Sequence, residues 1–266
     1  MPEGDTIFRA ARTLARALDG KTVLRFRADF PAAGIPGRTV SRVEARGKHL
    51  LMHFDDGRAL HSHMGMTGSW HIYRPGERWR KSERSARAVL ETEDFVAVCF
   101  SAPLVELLSR DALARHPSLS RLGPDLLRPE FEVGAAASRL RERGDAAIGE
   151  ALLHQGSVAG IGNIFKSEAL FVCRLNPFVP VGKMAPEDVD RVVAEARRLM
   201  SASVEGQSRR TRESPAGPRY WVYRRSGQPC LACGAAIRMR RQGDAGRSTY
   251  WCPRCQAEKS EVRGQR

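Results

Sequence analysis

The chain lacks the segments that direct a protein into or across a membrane. None of its apolar runs approaches membrane-spanning length, and its N-terminus carries no apolar segment typical of a signal peptide. These absences exclude channels and transporters and predict a cytoplasmic protein. Only two of its six cysteines, Cys99 and Cys173, lie outside two close pairs. This count excludes a disulfide framework, and the apolar surroundings of both residues predict buried core thiols.

Acidic residues are too few to balance the basic ones. The 266 residues contain 44 Lys and Arg against 30 Asp and Glu, a formal charge of +14. Arginine supplies most of this excess and is spread along the chain. An excess of positive charge of this size attracts polyanions, and nucleic acid is the first candidate. The alternative is an arginine-rich protein whose charges are merely solvated. The length predicts two domains with a small appendage.

The first residues have a distinctive chemistry. Methionine aminopeptidases remove Met1 when proline follows, so the mature chain would begin with the secondary amine of Pro2 beside the carboxylate of Glu3. An α-amino group titrates closer to neutrality than lysine does, which makes it a usable nucleophile. Its condensation with a carbonyl gives a cationic iminium, and an adjacent carboxylate can move the protons required. An ordinary Met-Pro start without catalytic meaning is the alternative.

Apolar spacing and turn residues predict an α+β protein. A helix follows Gly4, with Asp5 or Thr6 as its cap, and a short helix lies around Leu104–Leu108. Turn residues between short strands favour an antiparallel β-sandwich over the first half of the chain. The predicted strands are Thr22–Arg27, Thr39–Arg46, His49–Phe54, Arg58–His63 and Ala88–Phe100. The predicted later helices are Phe131–Arg143, Asp145–His154, Asn163–Cys173 and Pro186–Val204.

Three loops carry candidate binding residues. Lys48 lies at a hairpin tip, where it either reaches a phosphate or is simply solvated. Met66, between Gly65 and Gly68, is either a core plug or a wedge that enters a base stack. A turn with three glycines ends at Asn163, at or near a helix N-cap, and either binds an anion or forms a plain corner. His61 and His63 share a strand face, but no third metal ligand stands nearby in sequence, so packing roles are favoured.

The C-terminal part combines basic residues with a metal motif. Arginines alternate with aromatic residues over positions 203–227, which suits either a nucleic-acid strand or a solvated linker. Two Cys-x-x-Cys pairs follow at a spacing typical of a four-cysteine zinc ribbon: Cys230, Cys233, Cys252 and Cys255. A site with four protein ligands has no open position, so one structural Zn²⁺ is predicted. Residues 256–266 are predicted to form a disordered tail.

The order of these motifs resembles the formamidopyrimidine-DNA glycosylase/endonuclease VIII family over nearly the whole chain. The matching motifs are Pro2-Glu3-Gly4, Gly47-Lys48, Gly160-Ile161-Gly162-Asn163 and Gly246-Arg247-Ser248-Thr249-Tyr250-Trp251-Cys252. The resemblance implies an N-terminal β-sandwich with flanking helices, a helix–two-turn–helix domain and a zinc-finger hairpin. We therefore expect domains at residues 1–120, 121–213 and 214–266.

The same resemblance implies a role for each matching residue. Pro2 is similar to the nucleophile that attacks C1′ of the damaged nucleotide, and Glu3 to the acid/base that protonates the sugar. Lys48 resembles a lysine that contacts phosphate near the lesion and belongs with the catalytic set, as does Arg247. Asn163 and Arg247 resemble the residues that grip the phosphates flanking a flipped nucleotide, and Met66 is the candidate for filling the gap.

These roles predict a bifunctional DNA glycosylase/AP lyase of base excision repair. It would act as a monomer on damaged duplex or single-stranded DNA, in the cytoplasm at the nucleoid, without a dissociable cofactor. Gly4-Asp5-Thr6 is closer to endonuclease VIII, which favours oxidised pyrimidines, than to the oxidised-purine branch. Three alternatives remain: a non-catalytic protein that binds damaged or single-stranded DNA, a zinc-ribbon transcription factor and, within the enzyme class, an oxidised-purine glycosylase.

Overall fold

The computed structural model describes residues 2–206, 209–214 and 216–257, so most of the predicted C-terminal tail lies outside the described residues. The chain divides into two compact units between Leu122 and Gly123. A further boundary between residues 213 and 214 stays a prediction. None of the described helices is long and apolar enough to span a bilayer.

Helix α1 spans Gly4–Leu18, so its first residue precedes both Asp5 and Thr6, the two residues predicted as its cap. Glu3 is the N-cap, because its carbonyl oxygen accepts the N–H groups of Thr6 at 2.9 Å and Ile7 at 3.1 Å. Thr6 therefore lies inside the first turn, and the cap predicted at Asp5 or Thr6 is wrong. Since the helix starts at Gly4, its positive end lies beside Pro2.

Eight strands of the first unit form two antiparallel four-stranded sheets among the described residues. One sheet has the order β1–β6–β7–β5, made of Arg25–Ala28, Ala86–Glu91, Val96–Phe100 and Ser69–Tyr73. The other has the order β2–β3–β4–β8, made of Val40–Arg46, His49–Phe54, Ala59–His63 and Leu104–Leu108. Apolar side chains from α1 and both sheets share one core, so the predicted sandwich is confirmed.

Two predictions for this unit are wrong. The segment Leu104–Leu108 is strand β8 rather than a helix, because its pairing with β4 satisfies the backbone and overrides the helical preference of Leu and Glu. The predicted strand Ala88–Phe100 is two strands, β6 and β7. Between them Thr92 closes a turn with Phe95, whose N–H donates to the threonine hydroxyl at 3.2 Å. Strand β5 was not predicted at all.

Two short helices, α2 (Arg110–Ala114) and α3 (Pro117–Ser120), end the first unit, and the second unit is mainly helical. Its helices are α4 (Val133–Arg141), α5 (Ile148–Ala151), α6 (Asn163–Val172) and α7 (Pro186–Glu205). They enclose one apolar core, which includes Phe165, Val193 and Met200. Helices α4 and α5 are shorter than predicted, and α5 keeps only four residues because turns close the chain on both sides of it.

Strands β9 (Arg238–Gln242) and β10 (Arg247–Trp251) form the C-terminal hairpin. Residues 243–246 make the turn between them. The hairpin has a small core of its own, in which Ile237 and Cys252 pack against Phe171 of α6. The helix that begins at Asn163 therefore also supports the hairpin.

Candidate active site and zinc centre

The first two residues of the mature chain are held by the start of α1. The Glu3 side chain is fully buried, and its backbone is extended, with φ −125°. Pro2 is only partly buried. A partly exposed proline thus adjoins a carboxylate shielded from water at a helix N-terminus. A free amine at Pro2 would lie beside the positive end of the helix dipole.

Lys48 occupies the two-residue turn between β2 and β3. Gly47 has φ +57°, a left-handed conformation that glycine adopts without strain, and Lys48 is half-buried. Residues 49 and 63 are paired across β3 and β4, so His49 and His63 lie next to this turn. Burial lowers the pKa of His63, and the Lys48 cation lowers it further. The turn therefore places a positive charge beside two neutral imidazoles.

Met66 lies at the tip of the loop that joins β4 and β5. It is 72 % exposed, so the core-plug alternative is excluded. The loop itself is fixed, because the Gly68 N–H donates to the Met64 carbonyl at 2.7 Å and the Thr67 hydroxyl to Ser101 at 3.1 Å. A Cβ at Gly68 would lie 2.5 Å from the Met64 oxygen, so only glycine fits there. A flexible apolar side chain is thus presented on a rigid loop.

Asn163 is the first residue of α6, after the N-cap Gly162. The preceding turn is braced by Gln155, whose Oε1 accepts the N–H of Gly160 at 3.0 Å and whose Nε2 donates to the carbonyl of Ile161 at 3.1 Å. Asn163 is 8 % exposed, and its Oδ1 has no hydrogen-bond partner among the described residues. A buried polar atom without a partner is costly in a closed protein, which makes Asn163 a candidate contact for a molecule outside this chain.

Arg247, the first residue of β10, is exposed, and its strand is attached to α6 by a residue that sequence analysis missed. Lys166 is fully buried, and its Nζ donates to the Ser248 carbonyl at 3.2 Å and to the Thr249 hydroxyl at 2.8 Å. Because α6 starts at Asn163, Lys166 fixes the start of β10 relative to that asparagine. A lysine among the buried apolar residues of this helix was the signal that could have revealed it.

Glu168 is the second missed residue of α6. It is fully buried, and its carboxylate accepts the backbone N–H groups of Trp221, Val222 and Tyr223 at 2.7 to 2.9 Å, and the hydroxyl of Thr211. Burial raises the pKa of Glu168, and these hydrogen bonds oppose the rise. Glu168 therefore holds the segment rich in arginine and aromatic residues against the helix.

The four C-terminal cysteines meet the geometric requirements of a zinc site. One sulfur from each lies within 4.8 Å of the others, with Sγ atoms 3.8 Å apart for Cys230 and Cys255 and 3.4 Å apart for Cys233 and Cys252. A tetrahedral ion with Zn–S bonds near 2.3 Å requires sulfurs about 3.8 Å apart. The set therefore fits one structural Zn²⁺, as predicted, and leaves no coordination position for a substrate.

The predicted site residues divide between the two units. Pro2, Glu3, Lys48 and Met66 belong to the first unit, whereas Asn163, Arg247 and the zinc ligands belong to the second. Within the second unit, α6 supports both predicted phosphate-contacting residues.

Comparison with known proteins covers nearly the whole chain. Three family models match: the formamidopyrimidine-DNA glycosylase N-terminal domain over residues 1–103, the formamidopyrimidine-DNA glycosylase H2TH domain over 122–214, and the zinc finger found in FPG and IleRS over 227–257. A probable endonuclease 8 2 of Streptomyces coelicolor is 41 % identical, over 97 % of this chain and 94 % of its own length. A DNA-(apurinic or apyrimidinic site) lyase Nei2 of Mycolicibacterium smegmatis is 37 % identical, over 96 % and 99 %.

Solved structures agree with this grouping. The MutM (FPG) protein of Thermus thermophilus superposes with a TM-score of 0.79 at 31 % identity, covering 97 % of this chain and 99 % of that one. The Lactococcus lactis formamidopyrimidine-DNA glycosylase, solved with DNA containing an AP site, superposes at 0.81 over 97 % and 100 %, and its 22 % identity supports the fold alone. The chain therefore belongs to the formamidopyrimidine-DNA glycosylase/endonuclease VIII family, on the endonuclease VIII branch.

Proposed function

We propose that the protein is a bifunctional DNA glycosylase/AP lyase of base excision repair, with Pro2 as its nucleophile and Glu3 as its acid/base. The observation that carries this proposal is the buried carboxylate of Glu3 next to the partly exposed Pro2 at the start of α1. A protein that only binds DNA has no need for this pairing. Family membership supports the same conclusion.

The first reaction step displaces the base. The lone pair of Pro2 forms a bond to C1′ as the bond from C1′ to the base breaks, and the base leaves with a proton taken from water. The attacking nitrogen becomes a protonated tertiary amine, and the Glu3 carboxylate removes that proton. The nitrogen lone pair then opens the C1′–O4′ bond, and Glu3 passes the proton to O4′. The product is an iminium between Pro2 and C1′.

The second step uses that iminium as an electron sink. Removal of a C2′ proton drives cleavage of the C3′–O3′ bond, so the 3′ phosphate departs. Hydrolysis by water then releases the sugar remnant and restores the Pro2 amine. Both activities therefore share one nucleophile.

The substrate must be swung out of the duplex before Pro2 can reach it. We assign Lys48, Asn163 and Arg247 to the phosphates near the lesion, and Met66 to the gap left by the flipped nucleotide. Lys48 and Arg247 complete the catalytic set by holding the scissile region. The structural Zn²⁺ holds the hairpin that carries Arg247.

The finer parts of the proposal concern substrate and assembly. Residues Gly4-Asp5-Thr6, and relatives named endonuclease 8, favour oxidised pyrimidines as the excised bases. We propose that the enzyme acts as a monomer on damaged DNA at the nucleoid.

Borohydride trapping on DNA with an abasic site tests the nucleophile. Borohydride reduces the iminium to a stable amine, so the wild-type protein should become covalently attached to the DNA. The Pro2→Gly variant should trap at least about tenfold less, because it replaces the secondary amine with a primary one of greater conformational freedom. Mass spectrometry confirms Met1 removal in both proteins.

A matched control and a defined negative outcome complete this test. Lys183→Gln changes an exposed residue of the second unit and should trap like the wild type. If the wild type, with Pro2 at its N-terminus, binds the DNA tightly and never traps, the enzyme proposal fails and the non-catalytic binder replaces it.

A further inference from the structure

Two imidazoles and a carboxylate meet in the first unit, outside the residues assigned above. His61 of β4 lies opposite Glu106 of β8 in the sheet, and His116 is the N-cap of α3. The Oε1 atom of Glu106 lies 2.9 Å from Nδ1 of His61 and 3.0 Å from Nε2 of His116. One ligand atom from each of the three lies within 4.8 Å of the others. The fold thus brings to His61 two ligands, Glu106 and His116, that the sequence did not reveal.

We propose that His61, Glu106 and His116 form a second metal site, for a divalent first-row transition ion of the Zn²⁺ or Co²⁺ class. Imidazole and carboxylate donors suit such ions. Bonds of 2.0 to 2.2 Å in a tetrahedral site place ligand atoms about 3.4 Å apart, so the two contacts to Glu106 need to open by only a few tenths of an ångström. The Glu106 side chain is 33 % exposed, which leaves a route for the ion and a position for a water ligand.

Neighbouring groups support this ligand set. The Nδ1 atom of His49 lies 2.8 Å from Nε2 of His61. Metal-binding histidines normally donate their second ring N–H to an acceptor, which fixes the ring. The lone pair of His49 Nδ1 can be that acceptor for His61. His116 Nδ1 is buried without a hydrogen-bond partner among the described residues, so no hydrogen bond there commits the ring to one tautomer. In the metal-free protein His116 Nε2 donates to Glu106. A bound ion would replace that proton, with the ring N–H then carried by Nδ1.

The position of the site gives the ion a structural role. Helices α2 and α3 have only five and four residues, too few for stability by themselves. They are held by a small apolar contact in which Leu119 packs with Leu51 and Leu108. An ion shared by His116 and the two strands would fasten the end of the first unit to its sheet. Bound metal should therefore raise the thermal stability of the protein.

Cobalt titration of protein that holds one zinc per chain, in the four-cysteine finger, tests the site without using catalysis. The wild type should bind one Co²⁺ beyond the finger zinc, with visible d–d bands but no thiolate-to-cobalt charge-transfer band. Glu106→Gln keeps an oxygen that accepts from both imidazoles but loses the anionic ligand, so it should fold normally and bind at least about tenfold more weakly. His116→Gln should weaken binding to a similar extent, and only the wild type should gain Tm on adding Co²⁺.

A control histidine separates site binding from surface binding. His154 lies in the second unit, where its Nδ1 pairs with the Ser157 hydroxyl at 3.0 Å, and His154→Gln should bind Co²⁺ like the wild type. The proposal is overturned if the zinc-loaded wild type takes up no Co²⁺. It is also overturned if Glu106→Gln and His116→Gln bind as well as the wild type, or if the spectrum shows thiolate ligation, which would mean that Co²⁺ displaced the finger zinc.

Discussion

At the scale of single residues, His71 shows how local contacts set a protonation state. Its Nε2 lies 3.1 Å from the Ser69 hydroxyl, which also accepts from Lys81 Nζ at 2.9 Å. The other nitrogen, Nδ1, lies 2.9 Å from the Tyr73 hydroxyl. Each hydroxyl can donate to or accept from the ring, so both contacts are compatible with a neutral imidazole. Burial lowers the pKa of His71, and the charges of Lys81 and Arg80 add to this effect.

The direction of the pH effect follows from that shift. Because the pKa of His71 is lower in the folded than in the unfolded chain, its contribution to stability is fully present above about pH 6.5 and is lost as the pH falls below that value. We predict that Lys81→Gln raises the His71 pKa towards its ordinary value, measured by NMR titration of the ring. Lys183→Gln should leave it unchanged. A wild-type pKa at or above that of an unfolded peptide would contradict the prediction.

The two isolated cysteines should be chemically inert. Burial raises the pKa of Cys99 to about 12 and that of Cys173 to about 11, so both thiols stay protonated at pH 8. We predict that iodoacetamide labels neither residue in the native protein. After zinc is removed with a chelator, the four finger cysteines should be labelled first, as peptide mass spectrometry would show. Cys99 reacting as fast as the released finger cysteines would refute this assignment.

At the scale of elements, the loop after β4 combines a closely packed backbone with an exposed side chain, that of Met66. Gly65, with φ +55°, would bring a Cβ within 2.7 Å of Pro103, and Gly68 is closed in by Met64. The Met66 side chain is exposed, so its removal should not change the free energy of unfolding measurably.

We therefore predict that Met66→Ala reduces excision from duplex DNA by roughly tenfold, and much less from single-stranded DNA. A wedge stabilises the flipped state by filling a gap in the stack, and a single strand has no opposing stack to maintain. Single-turnover rates on matched substrates measure the ratio. Equal losses on both substrates would show that Met66 acts in another way.

Helix α6 carries one proposed site residue and supports the segments that carry others. It begins with Asn163, anchors β10 through Lys166, and holds residues 221–223 through Glu168. Both buried side chains bridge parts of the chain more than 50 residues apart. A helix with these contacts positions Asn163 and Arg247, the proposed phosphate contacts of the second unit, as one body.

At the scale of the whole molecule, the charge of +14 makes DNA affinity depend on salt. We predict that Arg247→Gln lowers the slope of log K against log salt by about one, because one fewer phosphate is neutralised. Asn163→Ala should weaken binding without changing the slope, since the amide is neutral. Fluorescence anisotropy with a stable abasic analogue, over a series of NaCl concentrations, gives both values. An unchanged slope for Arg247→Gln would place that residue away from the phosphates.

The sequence alone determined the features that depend on short-range chemistry. Features encoded within a few neighbouring residues could be predicted from the sequence. They are the four-cysteine spacing, the glycine turns, the long helices and the turns of the hairpins. The motifs at Pro2, Lys48, Asn163 and Arg247 also gave the family. The oxidised-pyrimidine preference and the site roles stay predictions.

Only the tertiary structure decided the features that depend on distant partners. Leu104–Leu108 has helix-forming residues and is a strand because β4 pairs with it. Lys166 and Glu168 became visible as anchors only when residues far along the chain met them. Glu106 and His116 lie 45 and 55 residues from His61 in sequence. Pairing of β4 with β8 brings Glu106 next to His61, and the chain at the start of α3 brings His116 there. Local patterns encode turns and helix faces, whereas the partners of a buried polar group are set by how the chain packs.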